Sequence, residues 1–353
     1  MMFTEELIQW YRKNKRDLPW RRTTDPYAIW VSEIILQQTR VAQGLPYYVQ
    51  FMDKFPEVEA LAEADESVLL RIWQGLGYYS RARNMHKTAK TVIEKFGGKF
   101  PSDYKSLLTL PGIGPYTAAA IASFSAEECR AVVDGNVSRV LARYFGISES
   151  ITSSKGQASI QGLAQELIPC EAPAEYNQAI MEYGALVCTP KNTACITCNL
   201  HPGCFAFKHK LVQALPVKNK AKRKKDRYFH YFVIRDQKDR IRLQQRKQPD
   251  VWQHLYELPL FETSDSYSIS TLLNNNAFIE KFGSNLQIVF ESAPKTQILS
   301  HQKIHAKFYE VQYAEEIGSK NQNADYVFIK DLDNLAKPKI IDAFFKDYFK
   351  DLL

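Results

Sequence analysis

No apolar run in this chain approaches the roughly 18–20 residues that a membrane-crossing helix needs; Ala118-Ala119-Ala120-Ile121-Ala122 is about the longest. The first residues, Met1 to Leu7, lack the basic start and apolar block of a secretory signal. Their two acids, Glu5 and Glu6, argue against a transit peptide. There is no internal repeat, and six cysteines in 353 residues are too few for a disulfide-stapled scaffold. Hydrophobic residues at 45% and charged residues at 24% exclude a disordered chain. These absences lead to the expectation of a soluble intracellular protein that engages no membrane. At about 150 residues per domain, the length points to two domains.

The net charge is +7, and it is concentrated. Residues 218–227 hold seven basic side chains and one acid, so the rest of the chain sums to +1. Such a run reads first as a solvated linker, yet any Lys/Arg cluster near nucleic acid gains from counterion release. Helical patterning dominates residues 1–213. An amphipathic opening covers 5–13, and Thr24-Asp25-Pro26 caps a segment at 28–38. Further helices are predicted near 45–54, 65–73, 80–95, 103–110, 115–125, 136–145, 156–167 and 174–187. After the basic stretch the pattern changes to strands at 228–235, 241–246 and 304–313, closed by an amphipathic helix at 338–352. An all-α domain (1–213), a basic linker (214–227) and an α+β domain (228–353) are therefore expected.

Cys188, Cys195, Cys198 and Cys204 fall in one Pro- and Gly-bearing loop, 188–204, with spacings of six, two and five residues. Without a secretory context, four such thiolates point to a soft metal centre, and the spacing leaves zinc and an iron–sulfur cluster both open. Cys129 and Cys170 lie outside the set and read as buried structural thiols. The run Leu110-Pro-Gly-Ile-Gly-Pro-Tyr-Thr-Ala118 joins two predicted helices. Gly112 and Gly114 would turn the backbone and aim N–H groups outward beside a helix N-terminus, as an anion site or as a plain tight turn. With a helix on either side it is the hairpin of a helix–hairpin–helix, which grips phosphate without reading sequence. Asp134, in Asp134-Gly135-Asn136, begins the next helix, where an N-cap role is the ordinary reading. Glu33 shares a helical face with Ile29, Trp30, Leu36 and Gln37. There it is either a boundary glutamate with its head in water or a desolvated acid with a raised pKa.

Taken together, the hairpin, Asp134, the Cys-x6-Cys-x2-Cys-x5-Cys spacing and Glu33 in Trp30-Val-Ser-Glu-Ile-Ile-Leu-Gln-Gln-Thr39 resemble the helix–hairpin–helix (endonuclease III-like) DNA glycosylases. Gly75-Leu-Gly-Tyr-Tyr-Ser-Arg-Ala-Arg-Asn84 is similar as well. Within that superfamily the chain resembles the adenine DNA glycosylases, over nearly its whole length. The resemblance implies an all-α helix–hairpin–helix glycosylase domain with an iron–sulfur loop, followed by an α+β Nudix-like domain that recognises 8-oxoguanine.

What the resemblance implies extends to single positions. The four cysteines would hold a 4Fe–4S cluster, and Lys191 would lie in a basic loop against DNA. Glu33 would be the general acid and Asp134 the carboxylate facing the sugar cation, with Tyr116 and Asn136 in support. Arg16, Gln178 and Glu182 match positions lining a pocket for the flipped base. Gln38 and Tyr78 match residues pushed into the duplex. Strand-cutting members carry a lysine where Tyr116 stands, and a phenol cannot form the imine they use, so strong lyase activity is not expected. Glu33 and Asp134 would form a two-carboxylate apparatus close to that of a glycosidase.

In the second domain no Arg-Glu-x-x-Glu-Glu cluster follows Leu255-Tyr-Glu-Leu-Pro259, so binding without hydrolysis is expected. Leu299-Ser300-His301 stands where the family often has Phe-Ser-His. Ser300 and His301 would meet the oxidised base, and Leu299 would replace an aromatic stack with plain packing. The expected substrate is double-stranded DNA carrying adenine opposite 8-oxoguanine or guanine, bound by a monomer in the bacterial cytoplasm beside the nucleoid. Two other readings are a thymine- or uracil-removing mismatch glycosylase and a catalytically silent DNA-binding redox sensor. The second domain and Glu33 count against the first of these; the presence of both Glu33 and Asp134 counts against the second.

Overall fold

The computed structural model describes residues 2–219, 223–313 and 325–350. Its contacts divide the chain into two compact units: Met1–Ala64 with Arg83–Lys220, and Asp65–Ala82 with Ala221–Leu353. Among the described residues no helix is long and apolar enough to cross a membrane.

The helices in chain order are α1 (Met2–Asn14), α2 (Pro26–Leu36), α3 (Val41–Lys54), α4 (Val58–Glu63), α5 (Glu66–Ile72), α6 (Ser80–Phe96) and α7 (Tyr104–Leu107). They continue as α8 (Pro115–Ala126), α9 (Gly135–Phe145), α10 (Ser154–Leu167), α11 (Pro173–Leu186) and α12 (Phe205–Lys208). In the first unit, α1, α9, α10 and α11 enclose a core of Leu7, Tyr11, Val140, Leu141, Ile160, Ile180 and Tyr183. Helix α2 is buried along nearly its whole length, from Tyr27 to Ile35. Asp25 starts it by accepting the amides of Tyr27 and Ala28, and Pro26 fills the position where a missing N–H costs nothing. A charged residue in such a helix needs a reason, and Glu33 is in the middle of it.

The second unit holds strands β1 (Lys225–Ile234), β2 (Arg240–Gln245), β3 (Tyr256–Glu257), β4 (Leu260–Thr263), β5 (Leu286–Glu291), β6 (Lys295–Ile298), β7 (Gln302–Tyr313) and β8 (Asp325–Phe328). Helices α13 (Ile269–Leu273) and α14 (Asn276–Phe282) precede β5, and α15 (Lys339–Tyr348) follows β8. One sheet runs β4-β1-β7-β5, with β6 also on β7, and the other runs β3-β2-β8. β1 and β7 pair in parallel, from Lys225 opposite Gln302 to Ile234 opposite Val311; the other pairs are antiparallel. Phe232, Phe278, Phe282 and Tyr309 fill one face of the larger sheet, and Phe344 of α15 stacks on Phe308 at 4.0 Å.

The structure departs from the sequence reading at several places. Residues 65–82 group with the second unit, where Glu66 bonds His254 and the Lys337 amide donates to Gln74 Oε1 at 3.1 Å. The end of the expected linker is strand: Lys225 to Arg227 pair with Gln302 to Ile304, and the Arg227 guanidinium is held by Asp250 and Glu262 at 2.8 and 2.7 Å. Pairing with two carboxylates lets the Arg227 guanidinium lie largely out of water against the sheet. Cys129 and Cys170 form a disulfide, and neither is buried, against the expectation of two buried free thiols. Residues 220–222 of the basic stretch, and 351 and 352 of the expected closing helix, lie outside the described residues.

Candidate active site

Glu33, Tyr116 and Asp134 line one cavity of about 330 Å³ in the helical unit. Arg16, Arg21, Ser32, Gln38, Asn136, Gln178 and Glu182 share its walls. The Glu33 carboxyl is 7% exposed and accepts the Tyr116 phenol at Oε2, 2.8 Å away. Burial pushes its pKa up to about 7; the phenol and Arg21 work against this, and the charge of Asp134 works with it. Trp30 packs against Tyr27 and Phe100, while Ile29, Leu36 and Tyr116 line the cavity beside the acid.

Asp134 is the N-cap of α9, as the plain reading had it, and it is also a wall of the cavity. Burial raises its pKa as well, but its oxygens accept the amides of Asn136 (2.8 Å) and Val137 (2.7 Å) and the Asn136 side chain (2.7 Å). Three N–H donors stabilise the carboxylate form, whereas Glu33 has one phenol. The carboxylate form is thus better supported at Asp134 than at Glu33.

Glu182 is fully buried and carries a different role. Burial opposes its ionisation, but Arg16 grips both its oxygens (2.8 and 2.7 Å) and Arg21 adds a bond at 2.8 Å, holding its pKa to about 2. Arg16 and Glu182 therefore bond each other inside the wall. The Gln178 Oε1 is taken by the Tyr11 hydroxyl, which orients the amide.

Sequence reasoning missed Arg21, Arg139 and Gly184. Arg139 donates to Asn136 Oδ1 (2.8 Å), to the Gly184 carbonyl (2.7 Å) and to the Cys188 carbonyl (2.7 Å), so the partner of Asp134 and the first cysteine share one guanidinium. A Cβ on Gly184 would sit 2.6 Å from the Asn136 Cβ, so α11 approaches α9 more closely than alanine allows. A glycine inside a predicted helix was the available signal.

The hairpin stands between α7 and α8. Gly112 has φ +75°, and a Cβ there would meet the Asn84 side chain at 2.8 Å. Gly114 is different: it is the N-cap of α8 in extended conformation, with open space around it and no side-chain cap. The first amides of α8 are left for an outside acceptor. α2 ends at Leu36, two residues before the expected end, because Gln38 turns left-handed at φ +59°. Tyr78, the other residue matched to duplex insertion, is also left-handed (φ +50°) and exposed. Backbone strain at both positions fits residues presented for contact rather than for packing.

Cys188, Cys195, Cys198 and Cys204 are free thiols. Cys188 Sγ accepts from Arg143 at 3.4 Å, and Cys198 Sγ lies 3.0 Å from the Tyr183 hydroxyl. Burial, then the charges of the neighbouring cysteines, push Cys195 and Cys204 up, so all four lie within one another's electrostatic reach. Among the described residues no three His, Cys, Asp or Glu converge where a single metal ion could sit.

In the second unit, Leu299, Ser300 and His301 form the three-residue tip between antiparallel β6 and β7. Ser300 and His301 are exposed, and the Ser300 and Tyr78 hydroxyls are bonded. Short α13 and α14 follow β4, and Glu280 is the one acid in them.

Residues 31–166 match the HhH-GPD superfamily of base excision DNA repair proteins, and residues 230–347 match the NUDIX domain. About three fifths of the chain also superposes on solved structures. One is a thermostable thymine-DNA glycosylase, at TM-score 0.55 and 30% identity over 59% of this chain and 96% of that one. Another is endonuclease III in a non-covalent DNA complex, at TM-score 0.53 and 20% identity over 60% and 95%, a likeness of fold. The class is thus a helix–hairpin–helix base excision repair protein with a Nudix-like second domain. The adenine DNA glycosylase of Buchnera aphidicola from Schizaphis graminum is 36% identical over 287 residues, 81% of this chain and 82% of the relative. The human adenine DNA glycosylase is 43% identical over 213 residues, 58% of this chain and 39% of that protein. The chain belongs to the adenine DNA glycosylase family.

Proposed function

We propose that this protein is a monofunctional DNA glycosylase that flips out and excises adenine opposite 8-oxoguanine or guanine, acting as a monomer in base excision repair. The observation that carries the reading is Glu33: a buried carboxyl, its pKa pushed up to about 7, on the wall of a cavity of about 330 Å³ that Asp134 also lines. Adenine bound through N9 is a poor leaving group until protonated. Glu33 delivers that proton, and Asp134 stabilises the oxocarbenium character at the sugar, the division of labour of a glycosidase. Water then takes the sugar carbon. The adenine must leave the stack first, at a cost of a few kcal/mol for unstacking. Gln178 and the Arg16–Glu182 pair shape the pocket, and Gln38 and Tyr78 fill the vacated space in the duplex. Tyr116 lines the cavity, and because a phenol forms no imine the base leaves by hydrolysis, without strong lyase activity.

The residues at 188–204 suit a 4Fe–4S cluster. Cys195 and Cys204 feel the charges of their neighbouring cysteines, and thiolates held that near one another repel until cations lie between them. Bound there, the cluster would order the loop bearing Lys191 for contact with phosphate. Replacing Cys198 with Ser is expected to lower iron content and DNA affinity together; zinc without iron by elemental analysis sinks the assignment. Residues Gly112 and Gly114 place the α8 amides for a phosphate, and Ser300 and His301 meet the base opposite the adenine.

Incubation with duplexes carrying adenine opposite 8-oxoguanine, guanine or cytosine, with and without alkali, tests the reading. Adenine release opposite 8-oxoguanine and guanine, with strand breakage only after alkali, is the expected result. A duplex carrying thymine opposite guanine is the necessary second arm, because a structural relative at 30% identity is a thymine-DNA glycosylase. Release of thymine but not adenine overturns the proposal.

A further inference from the structure

The tip Leu299-Ser300-His301 is three residues long, and its own strands hold it at one point, where the Leu299 amide donates to the Gln302 carbonyl at 2.8 Å. The Ser300 hydroxyl is bonded to that of Tyr78, and the other backbone restraints come from the basic stretch. Because β1 runs parallel to β7 with Lys225 opposite Gln302, the residue before β1 lies beside the tip. There the Lys224 ammonium donates to the Leu299 carbonyl at 2.7 Å, and the Lys225 amide donates to the His301 carbonyl at 3.0 Å. The carbonyls on either side of Ser300 are therefore fixed by two consecutive lysines. One does so through its side chain and the other through its backbone.

We propose that Lys224 is a positioning residue for recognition of the base opposite the adenine: its bond to Leu299 sets the direction in which Ser300 and His301 are presented. The proposal rests on the reading of this tip as the recognition element. A hydrogen bond to a changed base edge depends steeply on angle, so a tip free to rotate would lose discrimination before it lost affinity for the duplex. The same lysine could instead be one more phosphate ligand of a basic run. The two roles separate by their salt dependence: a phosphate ligand contributes equally to every duplex and to the salt slope, whereas a positioning bond contributes to neither.

The test uses the full chain and three variants: Lys224→Met, which keeps the stem and removes the donor; Lys224→Arg, which restores a donor; and the double change Ser300→Ala with His301→Ala. Binding constants are measured across salt concentrations on duplexes with adenine opposite 8-oxoguanine and opposite guanine. Lys224→Met is expected to lower the preference for 8-oxoguanine about three- to tenfold, the range of one lost hydrogen bond. Its salt slope should match wild type, and Lys224→Arg should recover most of the preference. Equal weakening of both duplexes, with the slope reduced by roughly 0.9, makes Lys224 a phosphate ligand and overturns the proposal. Unchanged preference in Lys224→Met, beside lost preference in the Ser300/His301 variant, overturns the role of Lys224 alone. Unchanged preference in the Ser300/His301 variant removes the reading of the tip, and the role of Lys224 with it.

Discussion

The phenol of Tyr116 donates to Oε2 of Glu33 across 2.8 Å, and that bond opposes the burial that keeps the carboxyl protonated. Removing the phenol therefore strengthens the acid form. With Tyr116→Phe, the Glu33 pKa should rise above its value of about 7 by roughly one unit, since a hydrogen bond to a charged group is worth about 1.5–3 kcal/mol before relaxation. Single-turnover excision against pH reports it. The limb that falls near pH 7 in the wild type should fall about one unit higher in the variant. A limb that stays in place would mean that another group supplies the proton.

Glu33→Gln separates chemistry from docking. An amide cannot donate the proton that the leaving base requires, so excision should fall by about 10²–10⁴-fold or more while duplex affinity changes little. The same change should stabilise the protein, in a defined pH window. The folded-state pKa of Glu33 is about 7, above the ordinary 4.5, so the native state binds more protons between those values and wild-type stability falls as pH rises through them. The variant has no such loss. At pH 8 it should be more stable by on the order of 3 kcal/mol, and the gain should shrink below pH 5. Urea titrations at the two pH values decide the point; equal gains at both would exclude titration of Glu33 as the cause.

Glu182 should behave in the opposite way. Its pKa is held near 2 by Arg16 and Arg21 against the cost of its own burial. It adds stability above the ordinary carboxylate pKa, and that contribution is lost as pH falls toward 2. Glu182→Gln leaves two guanidinium groups in the cavity wall without their anion and should cost about 3–5 kcal/mol at pH 7. Arg16, partly in water, holds the cost toward the lower end. The difference from wild type should narrow in acid. A pH-independent cost would make the defect one of packing.

The helices that position the site were legible because their signals are local. The Asp25-Pro26 start of α2, the hairpin before α8 and the cap of α9 at Asp134 all stand where side-chain chemistry and spacing placed them. What the sequence withheld depends on contacts across long separations. That Arg16 and Glu182 neutralise each other, 166 residues apart, is invisible to periodicity, as is the bond from Arg139 to the Cys188 carbonyl. Glu33 shows the limit best: its segment alone left a boundary glutamate as open as a desolvated acid, and only the burial supplied by the surrounding helices, with the charge of Asp134 brought in by α9, raises its pKa against the Tyr116 bond. In the second unit the two long strands, β1 and β7, were foreseen. The two-residue β3 and the four-residue β4, β6 and β8 are too short to show a period. Lys225 to Arg227 read as linker because charge suggests solvent, yet Arg227 is paired with Asp250 and Glu262.

Gly112 and Gly114 look equivalent in sequence, and the structure makes them separable. At Gly112 a side chain meets a left-handed backbone (φ +75°) and the Asn84 side chain at 2.8 Å. Gly112→Ala should therefore cost about 1–2 kcal/mol from the backbone alone and move the hairpin. At Gly114 the backbone is extended and the space is open, so alanine costs only the small loss of a poor N-cap, a few tenths to about 1 kcal/mol. If the α8 amides hold a phosphate, Gly112→Ala should weaken binding to duplexes with adenine opposite 8-oxoguanine and opposite guanine by the same factor, because a phosphate carries no information about the opposite base. Gly114→Ala should retain most of the stability and separate the two effects: reduced affinity there, with the fold intact, assigns the loss to crowding at the phosphate. Thermal melts beside binding constants on the two duplexes distinguish these outcomes. A loss confined to the 8-oxoguanine duplex would show that the hairpin does not act through the backbone phosphate.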